Sequence, residues 1–111
     1  MNPKDLVRLR HMHDAACEAL GFAGGRSRED LDADRQLVLA LVKEIEIIGE
    51  AAGRTSLETR QQIQTLPWTD IILMRNRLIH AYFDVDLDVV WKTLTDDLPP
   101  LIEALKKLLQ L

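Results

Sequence analysis

Apolar residues recur at three- and four-residue intervals through most of the chain, the spacing of helices that bury one face. Asn2 followed by Pro3 reads as an N-cap with proline in the first helical position. Leu6, Leu9, His13, Cys17 and Leu20 then form a stripe, and Gly21 supplies a stop before a loop over residues 21–27. The longest helix is expected from about Asp32 to Ala52, with Leu37, Leu41, Ile45, Ile48 and Ala52 along its stripe, Val38 and Val42 widening it, and Gly53 ending it. Ser56, Thr59 and Gln62 suit a short third helix ending near Thr65, after which Leu66-Pro67 breaks and restarts the chain. A fourth helix from near Trp68 carries Ile71, Ile72, Met74, Leu78 and Ile79. Asp84 or Asp86 caps a fifth, with Leu87, Val90, Trp91 and Leu94, and Pro99-Pro100 must kink or restart it before Leu101 to Leu109.

No segment shows period-two alternation between turn residues, and no repeat or long linker divides the chain. The expectation is a single all-α domain over residues 1–111, an antiparallel bundle of about five or six helices. The first helix offers more apolar surface than a small bundle need hide, and the second and fourth are apolar over wide arcs. A two-fold homodimer would bury that surplus.

Composition narrows the class. The 111 residues are enough for a real core, and with 47% hydrophobic residues the chain has an ordinary globular balance. A single cysteine, Cys17, rules out an intrachain disulfide and suits a reducing compartment. The first residues are polar, and no apolar run approaches the ~20 residues that span a bilayer. A soluble cytoplasmic protein without a membrane partner is therefore expected. The net charge of -4 argues against general nucleic-acid coating, and no DNA partner is expected. It still permits a local basic cleft, and positive charge gathers at Arg75 and Arg77.

Core packing leaves one segment unexplained, Arg75-Asn76-Arg77-Leu78-Ile79-His80-Ala81-Tyr82. Arg75 and His80 stand about 140° apart around an ideal helix, so they meet only if the helix unwinds near His80 or a second subunit completes the site. Together they suit metal-free cleavage of a phosphodiester. An imidazole exchanges a proton at neutral pH with a ribose 2′-hydroxyl or a leaving oxygen. A guanidinium forks onto phosphate oxygens and stabilises the charge that grows in the transition state. Asn76 can hold the phosphate or orient the imidazole. On spacing alone, a histidine capping a helix C-terminus beside a solvated arginine is the commoner arrangement.

The motif Arg75-x-x-x-x-His80-x-Tyr82 resembles the R-x4-H-x-Y motif of HepT-like toxins, minimal members of the HEPN superfamily. Glu46-Ile47-Ile48-Gly49-Glu50-Ala51, Met74 to Tyr82, Phe83-Asp84-Val85-Asp86 and Trp91 are similar to the family as well, and the likeness covers essentially the whole chain. The resemblance implies a homodimeric helical ribonuclease of a toxin–antitoxin module, with Arg75 and His80 catalytic and no cofactor. It further implies an MntA-like minimal nucleotidyltransferase antitoxin that transfers AMP from ATP onto Tyr82. The added phosphate would occupy Arg75 and repel RNA. The competing reading is a non-catalytic helical module that docks a nucleotidyltransferase or a nucleotide.

Other features have structural readings. His13 and Cys17 lie one turn apart but lack the further ligands zinc needs, so core or dimer packing is expected and no metal site. Glu46 and Glu50 suit a solvated helix face, although Glu50, next to Gly49, can help orient the site. Gly24-Gly25 lacks the Lys-Ser/Thr ending of a phosphate loop. Trp68 and Trp91 are expected to anchor the core rather than stack on bases.

Overall fold

The computed structural model describes residues 1–80 and 84–111. Its elements are α1 (Pro3–Ala23), α2 (Asp30–Ala33), α3 (Arg35–Arg54), α4 (Leu57–Gln62), α5 (Trp68–Ile72), α6 (Met74–Leu78), α7 (Leu87–Lys92), a π-helical turn (Thr93–Asp97) and α8 (Leu98–Leu109). Among the described residues no strand forms beyond an isolated antiparallel bridge between Ile79 and Val85. The architecture is the expected all-α bundle.

Side-chain caps fix where several helices begin. Asn2 accepts from the Lys4 N–H at 2.7 Å with Pro3 following, so one otherwise unpaired donor of α1 is satisfied and another is absent. Asp34, Ser56 and Asp86 do the same for α3, α4 and α7 through Leu37, Thr59 and Val89.

Helices α1 and α3 pack antiparallel along their lengths, and α8 closes over α1. Asp5 beside Ser56 and Arg8 beside Arg54 fix the pairing at one end. The core is one cluster whose most deeply buried large members include Leu9, Met12, Leu41, Ile45, Ile48, Ile71, Leu78, Leu94, Leu98 and Leu105. Each such side chain contributes roughly 1.5–3 kcal/mol by leaving water.

The stripe expected on α3 is buried at every position. On α1, Leu9 is buried and Leu20 packs against the core as expected, but the rest of the stripe is corrected: the inner face is Asp5, Leu9, Met12, Ala15, Ala16 and Ala19. Leu6 and Cys17 are exposed, and His13 is half-buried. Nor do the glycines end the helices, since α1 runs past Gly21 to Ala23 and α3 past Gly53 to Arg54. Both sit inside an intact hydrogen-bond ladder, and at neither would an added Cβ meet any atom within 4 Å.

The fourth expected helix divides at Leu73, which leaves helical geometry with φ −91 and ψ 0. Nothing in the local sequence explains that break. The proline pair has a clearer effect. Pro99 and Pro100 cannot donate to the carbonyls of Thr95 and Asp96. The ladder shifts instead to the wider spacing of the π-turn, where the Leu98 N–H reaches the Thr93 carbonyl, and α8 follows without a separate cap. Among the described residues no helix is long and apolar enough to cross a membrane.

Candidate functional site

Helix α6 holds Arg75, Asn76 and Arg77, and it stops where Ile79 turns extended at φ −115 and ψ 119. Two backbone bonds fix that exit: the His80 N–H donates to the Asp84 carbonyl at 2.8 Å, and the Asp86 N–H donates to the Leu78 carbonyl at 2.7 Å. The helix therefore unwinds before His80, the first of the two geometries that the spacing allows. Ile79 and Val85 pack against the core, anchoring the segment while His80 stays at the surface.

Arg75 reaches across to α3, where its Nε donates to Glu46 Oε1 at 2.9 Å. Among the described residues its two terminal nitrogens make no hydrogen bond, so the fork remains open to an anion. Glu46, Gly49, Glu50, Ile72, Arg75 and Asn76 line an open cleft of about 300 Å³. Gly49 sits at this approach, where an added Cβ would stand in contact, 3.4 Å from the carbonyl oxygens of Ile71 and Ile72. Asn76 and Glu50 both line the cleft. Glu50, however, pairs with Arg54 at 2.8 Å, and Glu46 is the residue that holds the arginine. The expectation of a merely solvated Glu46 is thus corrected. The signal for it lay in Gly49, three residues on, which marks where α5 and α6 approach α3.

His80 faces another carboxylate, with Nε2 3.4 Å from Asp86 Oδ2 and its side chain 59% exposed. The Val89 backbone N–H, and then His80, hold the Asp86 carboxyl below its ordinary value. Asp86 therefore caps α7 and offers its second oxygen to the imidazole. Among the described residues no hydrogen bond links Arg75 with His80, and His80 does not line the Arg75 cleft. Two half-sites sit side by side on one segment, each held by its own acidic partner. Tyr82 lies outside the described residues.

The features set aside in the sequence have plain positions. His13 Nε2 and Cys17 Sγ are 3.6 Å apart on α1, with His13 half-buried and Cys17 exposed. Among the described residues no group of three or more His, Cys, Asp or Glu side chains is arranged to hold a metal ion. Trp68 and Trp91 are half-buried against the core, and the Trp68 indole donates to the Ile63 carbonyl at 2.8 Å. Gly25 takes the left-handed conformation, φ +73, of a simple turn.

A family model described as Ribonuclease HepT-like matches residues 12–108. The chain belongs to the HepT-like family of the HEPN superfamily. "Putative RNase TTE0752" of Caldanaerobacter subterraneus is 40% identical over 78% of this chain and 77% of its own. "Probable ribonuclease HepT" of Thermococcus cleftensis is 39% identical over 72% and 73%. A Methanocaldococcus jannaschii protein, "Gamma-glutamylcyclotransferase and putative RNase MJ0434", is 34% identical over 94% of this chain and 47% of its own length. No solved structure gives a significant match.

Proposed function

We propose that this HepT-like protein is an endoribonuclease toxin that cleaves RNA without a metal, using Arg75 and His80. The family supports ribonuclease activity. The carrying observation is local: among the described residues the outer nitrogens of the Arg75 fork make no hydrogen bond, and His80 stands at the surface beside Asp86. A purely structural cation and cap would be expected to turn inward or saturate their donors.

In the proposed reaction a His80 imidazole takes the proton of a ribose 2′-hydroxyl, and the oxygen attacks the adjacent phosphorus. Arg75 stabilises the extra negative charge on the phosphoryl oxygens. The P–O5′ bond breaks, and an imidazolium returns a proton to the leaving oxygen. The products are a 2′,3′-cyclic phosphate and a 5′-hydroxyl. Asp86 stands beside the imidazole, and Glu46 orients the guanidinium. Because no hydrogen bond links Arg75 with His80 among the described residues, a second copy completes the site in this reading, one His acting as base and the other as acid. Leu39, half exposed beside Ile79 and Val85, offers apolar surface for that pairing.

The regulatory half of the proposal is a cognate nucleotidyltransferase antitoxin. It transfers AMP from ATP to the Tyr82 hydroxyl with release of pyrophosphate, and the new phosphate competes with RNA for Arg75. The experiment is cleavage of labelled RNA in excess chelator by the parent, Arg75→Ala and His80→Ala proteins, with the product ends identified. Cyclic-phosphate ends from the parent alone support the reading. Equal cleavage by both variants would discard it. The Arg75–Glu46 pair favours one second reading, a non-catalytic docking module in which the cation is already neutralised; tight partner binding with no cleavage would select it.

A further inference from the structure

A second cleft, of about 400 Å³, lies between α1 and the last turns of α3. Its walls carry Lys4, Arg8, His11 and Arg54, with Glu50 as the sole acidic group lining it among the described residues, while Val7, Ile47 and Ala51 are apolar. That is a local reversal of sign in a chain of net charge -4. Glu50 also lines the Arg75 cleft, so the two depressions meet at that side chain. Along α3, Glu46, Glu50 and Arg54 succeed one another at one-turn intervals, a run of roughly 12 Å at ~1.5 Å per residue.

We propose that this α1–α3 cleft holds the phosphodiester backbone of the RNA strand beyond the scissile bond, an extended binding site that continues the Arg75 cleft. The inference rests on the ribonuclease reading of Arg75 and His80. Lys4 and Arg54 supply exposed cations at the rim. Arg8 is held in place, one terminal nitrogen lying 3.4 Å from Asp5 and donating to the Arg54 carbonyl, so it presents a fixed charge. The apolar strip of Val7, Ile47 and Ala51 suits a ribose or an unpaired base between phosphates, the pattern of sites that track a single strand. Glu50 opposes this, since it pairs with Arg54 and repels phosphate. Its position where the two clefts meet makes it a gate, and neutralising it frees a cation.

The test measures binding of a fluorescent single-stranded RNA of about a dozen nucleotides, over a range of salt, to full-length His80→Ala protein. Two further changes are added separately, Lys4→Ala/Arg54→Ala and Glu50→Gln. Both rim cations are exposed, and thermal melting checks that the fold is kept. The double variant should bind roughly 10-fold more weakly at low salt, with the slope of log Kd against log salt reduced by about 1.4, for two phosphate contacts at ~0.7 each. Glu50→Gln should shift binding the other way. Unchanged affinity in the double variant, with cleavage intact in the parent, would overturn the extended site and leave the ribonuclease reading standing. Unchanged RNA affinity with lost self-association would reassign the cleft to contact between copies. A parent that neither binds nor cleaves RNA would remove both.

Discussion

Two regions of this molecule hold charged side chains in opposite ways. Beneath α1, the Asp5 carboxylate has no solvent exposure and accepts from the Ser56 N–H at 3.0 Å, the Ser56 hydroxyl at 2.6 Å and the Thr59 hydroxyl at 2.6 Å. Those hydroxyl and amide bonds hold its carboxyl down at about 2. Around α6, by contrast, among the described residues the Arg75 side chain makes one hydrogen bond and the His80 side chain one long contact, with Arg75 partly exposed and His80 exposed. A saturated buried charge fixes the chain, whereas a half-satisfied surface charge contributes little to the fold and is available to a ligand. The number of partners, more than residue type, separates scaffold from site.

That contrast breaks most readily through the scaffold. Asp5→Ala should cost about 3 kcal/mol in urea denaturation, because it strands the Ser56 and Thr59 donors under α1. Ile48→Ala, on the fully buried face of α3, should cost a similar ~3 kcal/mol through lost burial and a cavity. Neither is hydrogen-bonded to Arg75 or His80, so the cleavage step itself should persist in the folded molecules.

Acid sharpens the comparison next. The Asp5 carboxyl is lowered from 3.8 to about 2, so its contribution is present above pH 3.8 and disappears as pH falls toward 2. Asp5→Asn should flatten that limb of a stability–pH curve. Glu44 shows the opposite sign. Burial between α1 and α3, and then the neighbouring Glu18 carboxyl, raise it from 4.5 to about 7. The folded state then holds the proton more tightly, so stability declines as pH rises from 4.5 to 7. Glu44→Gln should abolish that decline and leave the protein more stable than the parent at pH 8, checked by melting at several pH values. The smallest expected effect is in the site itself: Arg75→Ala should change stability by less than about 1 kcal/mol, as befits a single partly exposed pair.

How much of this was legible in the sequence differs by element. Helix α3 was plain, because its buried positions are large aliphatic residues at regular spacing. Helix α1 is only partly legible: Leu9 is buried as its spacing implies, but much of the inner face is Ala15, Ala16 and Ala19 and it ends in a buried Asp5, whereas the bulky Leu6 and Val7 face outward. Small side chains let α1 approach α3 closely, and a pattern weighted by hydrophobic bulk passes over them. In the site, the motif spacing marked Arg75 and His80, and the turn residues after them marked the unwinding. The carboxylates serving each half-site were not marked, since the Arg75–Glu46 and His80–Asp86 contacts depend on how α6 and its exit meet α3 and α7. Asp86 was foreseen as a cap only, and the cap leaves its second oxygen for the imidazole.

The central claim is that the exposed, sparsely held pair carries the chemistry while the fold is indifferent to it. The most direct measurement is RNA cleavage in excess chelator alongside thermal melting, for the parent, Arg75→Ala and His80→Ala proteins. The account predicts cleavage by the parent, at least a ~100-fold loss in each variant, and near-identical melting temperatures. Variants that melt with the parent and cleave RNA as fast as it does would contradict the account.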